Sequence, residues 1–173
     1  MAIRFVRCAA VLAMILLCAV GAPWASAEPG MDRYTDPVNG WSIGYPVGWR
    51  VDGSDPAAVL IHDPENQALV SIRVMPTDLP LNAVANQMMA AQAPALQQKQ
   101  LTWTVTGRQL ITMPNGTPAV DIRGDLVPGG RSHQLYFVKG GRAFGIDAET
   151  YIPFWDKFSA DFDRILLSFG LPA

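Results

Sequence analysis

Along this chain apolar residues first alternate with polar ones over several short runs and then, at the end, change to steps of three and four. Alternation is the signature of a strand with one buried face, and the three-and-four step that of a helix lying on a core. Trp41 to Tyr45 reads as a strand, broken by Pro46 and Gly48, with a short second strand at Trp49 to Val51, the two making an opening hairpin whose Trp41, Tyr45 and Trp49 fill the core. Ala58 to His62 and Ala68 to Met75 flank the turn cluster Asp63-Pro64-Glu65-Asn66 and predict a second hairpin. In its second arm Ala68, Val70, Ile72 and Val74 share one face, and Ser71 and Arg73 the other.

Asp78 is placed to cap a helix over about Leu79 to Gln92, with Pro80 tolerated in the first turn because no donor is needed there. Its apolar stripe is Leu81, Val84, Ala85, Met88 and Ala91, and Pro94 is expected to end or kink it. From Leu101 to Thr150 four alternating runs, separated by Pro114-Asn115-Gly116, Pro128-Gly129-Gly130 and Gly140-Gly141, predict an antiparallel meander. Phe154, Phe158, Phe162, Ile165, Leu166 and Phe169, opposite Asp156, Asp161, Asp163 and Arg164, mark a closing amphipathic helix. Each large apolar residue it buries contributes roughly 1.5–3 kcal/mol, so truncation before Phe154 should unfold the domain. The sum is an α+β chain: an antiparallel meander sandwiched by helices.

The first residues change the picture of where it works. Arg4 and Arg7 precede an apolar run of about 14 residues from Cys8 to Gly21, and Ala25-Ser26-Ala27 offers a cleavage site. Residues 1–27 are therefore expected to be a signal peptide and residues 28–173 a single domain, exported to the periplasm, the cell wall or the medium. The run is shorter than the roughly 18–20 residues that span a bilayer, and no transmembrane span is expected in the mature chain. Both cysteines, Cys8 and Cys18, lie in the signal, which excludes disulfides from the mature domain. Losing the signal removes two of 13 basic residues and none of the 15 acidic ones, leaving about −4, with the basic residues scattered singly. That excludes a nucleic-acid partner, which needs clustered Lys and Arg.

Tyr34-Thr35-Asp36-Pro37 followed by Gly40-Trp41-Ser42-Ile43-Gly44-Tyr45-Pro46-Val47-Gly48-Trp49, a central helix, a meander and a last helix ending in Leu167-Ser168-Phe169 resembles the PsbP-like superfamily, and its exported bacterial LpqN- and DcrB-type branch in particular. The resemblance implies an α/β/α sandwich and a non-enzymatic binding role, with no cofactor.

Candidate chemistry is sparse. His62, Asp63 and Glu65, with His133 from the meander, are candidate ligands for a divalent cation, against the reading of a polar turn and an edge-strand histidine. Asp121, Arg123 and Asp125 share a strand face and read as a charged ladder rather than a glycosidase acid pair. No nucleophile turn, phosphate loop or zinc-helix motif occurs. The expected binding surface is a wet sheet face carrying Thr104, Thr106, Arg108, Asp121 and Arg123, docking a protein or cell-envelope component. The alternatives are a small-ligand or lipid carrier using the space between the Ala- and Met-rich helix and the sheet, and, third, a hydrolase working through His62 or His133.

Overall fold

The computed structural model describes residues 29–55 and 57–171; the expected signal segment lies outside them. Strands β1 (Met31–Thr35) and β2 (Ser42–Pro46) form a two-stranded antiparallel ribbon. A second, seven-stranded sheet holds β3 (Arg50–Asp52), β4 (Val59–His62), β5 (Ala68–Pro76), β6 (Thr102–Thr112), β7 (Pro118–Val127), β8 (Gly130–Lys139) and β9 (Arg142–Tyr151). Its order is β3-β4-β5-β9-β8-β7-β6, antiparallel throughout, so the expected meander is present as β6 to β9. Helix α1 (Leu81–Gln98) covers one face and helix α2 (Trp155–Leu167) the other, which makes the predicted sandwich.

The alternation along β8 and β9 divides the core between the faces. Leu135 and Phe137 point to α2 with Phe144, Ile146 and Ala148, where Phe158, Phe162, Ile165 and Phe169 meet them. Tyr136, Val120, Ile122 and Ala143 point to α1 and meet Val84, Ala85 and Met88. Trp41 is buried against both ends of the domain, tilted on Tyr34 and stacked on Phe169. Ser42 and Gly170 exchange backbone hydrogen bonds at 2.8 Å, and the Gly44 amide donates to Ser168 Oγ, also at 2.8 Å.

Three expectations are corrected. The strand after Pro46 does not form a hairpin with the one before it: β2 pairs with β1, and β3 pairs with β4 in the larger sheet. The ribbon closes at Asp36, whose carboxylate accepts from the Val38 and Asn39 amides, and Gly40 turns the chain at a φ of 72°. Asp78 makes no capping bond; Pro80 occupies the cap position, and α1 runs on through Pro94 to Gln98. Ala90 and Pro94 are both exposed, so the carbonyl deprived of its donor faces solvent and the helix tolerates the loss.

Candidate functional site

The residues expected to form one wet face do not share one. Thr104 opposes Asp125 and Val105 opposes Gly124, but the next pair is Gly107 with Arg123, so Thr106 is an extra residue in β6 and the alternation flips after it. Arg108 consequently opposes Ile122 on the α1 face, where it donates to Asn86 Oδ1 at 2.8 Å. Asp121 and Arg123 lie on the α2 face. Asp121 is buried rather than part of a solvent ladder, and its carboxylate meets His133 Nε2 at 3.1 Å.

His133 is held from both sides, since its Nδ1 lies 3.1 Å from Asp163 of α2, and Arg123 reaches the same carboxylate at 3.6 Å. Burial pushes the Asp121 carboxyl up, but the hydrogen bond and charge of His133, with Gln109 and Arg123, outweigh it and hold it below its ordinary range. The cluster straps α2 to β7 and β8.

The four metal candidates are not brought together. His62 lies in register with Leu69, Glu149 and Ser132 on the α1 face, whereas His133, next along β8, points to the other. Two strands also stand between them, a separation of roughly 14 Å. Asp63 is buried and shapes its own turn, accepting from the Ala68 amide at 2.7 Å and the Glu65 amide at 3.1 Å. Glu65 is exposed and pairs with Lys157.

A different arrangement emerges under α1. The helix lies over β6 to β9 and leaves the β5 side of that face open. Along the resulting groove run two hollows. One of about 210 Å³ is lined by Ser71, Arg73, Val74, Met75, Met88, Ala91, Gln92, Tyr136 and Asp147, among others. The other, of about 380 Å³, includes His62, Leu69, Lys99, Leu101, Glu149 and Tyr151. Their linings include successive rungs of one face, since Ser71 opposes Asp147 and Leu69 opposes Glu149.

Polar side chains in this groove are organised. Tyr136 Oη donates to Gln134 Oε1 at 2.7 Å, Gln134 Nε2 to Gln92 Oε1 at 3.3 Å, and Gln92 Nε2 to Tyr136 Oη at 3.0 Å, closing a ring between α1 and β8. Beside it stands Asp147, the residue opposite Gln134 in the β8–β9 register. Its Oδ1 is shut off from solvent and has no hydrogen-bond partner among the described residues. Burial first, and then the charge of Glu149, push the Asp147 carboxyl up to about 7 against the opposing pull of Gln134, Arg73 and Lys99. The Tyr136 hydroxyl is likewise pushed well above its ordinary value, by burial and by Asp147.

Sequence reasoning singled out the helix–sheet space but not Asp147, Gln134 or Gln92. The available signal was polar residues at inward positions of otherwise apolar strands; only the β8–β9 register, which sets Gln134 opposite Asp147, joins them.

No family model matches the chain, and no curated protein does. Among solved structures, cyanobacterial PsbP (CyanoP) from Synechocystis sp. PCC 6803 superposes with a TM-score of 0.66 at 17% identity, over 88% of this chain and 99% of that one. The Saccharomyces cerevisiae Ran-binding protein Mog1p superposes with a TM-score of 0.59 at 4% identity, over 82% and 95%. LpqN of Mycobacterium tuberculosis, involved in cell envelope biogenesis, superposes less well, at 0.49 and 13% identity over 82% and 92%. The fold is PsbP-like. No helix among the described residues is long and apolar enough to cross a membrane.

Proposed function

We propose, taking the PsbP-like fold as the frame, that this chain is an exported, non-enzymatic binding protein of the cell envelope that holds a small ligand in the groove between α1 and the open side of the sheet. One observation carries the reading: Gln92 and Tyr136 of the polar ring and the Asp147 carboxylate line a hollow whose remaining walls are largely apolar. Sites for small molecules have this composition, an apolar surround with a few placed polar groups that fix orientation. The signal-like start at Arg4 to Ala27 supports export.

The test is a native mass spectrum of protein purified gently from its own host's envelope or medium. An added mass of a few hundred daltons is expected, and it should be lost in Ala91→Trp, which fills the hollow from an exposed helix position. A bare chain in both proteins would overturn the reading.

A second reading, docking of a protein or envelope component, is favoured by the exposure of the edge strand β6. There Thr104, Thr106 and Arg108 stand beside exposed Val105 and Leu110 at the rim of the sheet. Partner capture unchanged by charge reversal at Arg108 and Arg123 would remove it.

A further inference from the structure

We propose that the α1 groove selects a small cationic ligand, a protonated amine on an apolar body, with the ammonium group seated on the Asp147 carboxylate. The inference rests on the groove being a ligand site and names the chemistry it takes.

The argument is one of unmatched valence. The Ser71–Asp147 rung forms the floor of the hollow. At the adjacent position Gly145 has no side chain, and a Cβ there would stand 2.6 Å from Met88 Cε and 3.1 Å from the Tyr136 ring. Glycine thus lets Met88 and Tyr136 close over the floor and confine access to Asp147. The donors nearby do not reach Asp147 Oδ1: Tyr136 gives its proton to Gln134, and the Gln134 and Gln92 amides each give one N–H to the ring. Arg73 and Lys99 act on Asp147 through charge alone, and Glu149 adds a second negative charge from the same strand.

An ionised carboxylate accepts hydrogen bonds and cannot donate one. An anionic ligand or one that only accepts leaves it unsatisfied, and a neutral donor supplies the hydrogen bond but no positive charge beside Asp147 and Glu149. An ammonium group supplies both, and charge-assisted bonds are the stronger kind. Val74, Met75, Met88 and Ala91 then offer apolar contact to the rest of the molecule.

Phenethylammonium and its neutral counterpart 2-phenylethanol, nearly equal in shape, are the probes. Calorimetry with the mature protein at pH 8 should show the ammonium bound at least about tenfold more tightly. Protonation of Asp147 near pH 7 removes the acceptor charge, so ammonium affinity should fall about tenfold between pH 8 and pH 6 while the alcohol's stays constant. Asp147→Asn should abolish the preference, and the wild-type pH comparison stands even where that variant misfolds. Equal binding of both probes would overturn the cationic assignment while leaving the groove as a ligand site. Absence of binding by both, with no NMR shift at the amides of Ser71, Gln92 or Gly145, would overturn the groove reading itself.

Discussion

Replacing Asp147 by Asn should leave stability unchanged in mild acid and increase it at neutral pH. The carboxyl moves from an ordinary 3.8 to about 7 on folding, because burial and Glu149 outweigh Gln134, Arg73 and Lys99. Between those values the folded chain keeps a proton that the unfolded chain has released. Stability therefore falls as pH rises through this window and is flat above it. At 1.36 kcal/mol for each pH unit, the loss amounts to about 4 kcal/mol from Asp147 across the span from 3.8 to about 7. Asn has nearly the same shape and no charge to bury. Urea unfolding of both proteins, followed by tryptophan fluorescence at steps from pH 4 to pH 8, gives the difference directly and cancels the other titrating groups to first order. That difference should be near zero at pH 4 and grow to about 4 kcal/mol in favour of Asn at pH 8. A difference independent of pH, or a less stable variant at pH 8, would refute the claim that the ionised carboxylate is held unsatisfied in the folded protein.

Three further outcomes follow from the packing. Phe162→Ala empties the centre of the α2 face, where the ring stacks on Phe158, and should cost about 3–5 kcal/mol in thermal or urea unfolding. Gly124→Ala places a methyl group against Trp103 Nε1, so the indole must move; a loss of about 1–3 kcal/mol and a red-shifted tryptophan emission are expected. His133→Leu removes the group between Asp121 and Asp163 and should cost about 1–3 kcal/mol. In the same variant the burial of Asp121 is less opposed. Its carboxyl, depressed in the wild type, should titrate higher by carbon-detected NMR, and the stability it contributes, lost only as pH falls through its folded value, should be lost sooner.

What could be read from the sequence is what a side chain determines through its own near neighbours. The three-and-four spacing of Phe158, Phe162 and Ile165 needs no partner to be recognised, and the alternation in β5, β7 and β8 marks strands wherever they pair. Pairing itself is a different matter. Met31–Thr35 has no alternation that marks a strand by itself; it is a strand because β2 supplies its hydrogen bonds. The bulge at Thr106 moved Arg108 to the far face, and its one trace in the sequence is Gly107 inside a strand run. Pro94 predicts an end or a kink on local grounds, yet α1 continues past it because its exposed position makes the lost bond tolerable. The groove needed both the register of β8 with β9 and the lie of α1, neither of which is a property of any single segment.

The bridge between Ser42 and Gly170, and the stacking of Trp41 on Phe169, couple residues at opposite extremes of the domain. A chain that emerges amino end first, from a ribosome or through a membrane channel, therefore cannot complete its α2-side core until residue 170 has cleared the exit. Until then Trp41 and Ile43 lack Phe169 and the α2 side chains beside them in the finished core, a surface that holding factors can grip. Completion of that face is in this sense timed by the delivery of Phe169 and Gly170.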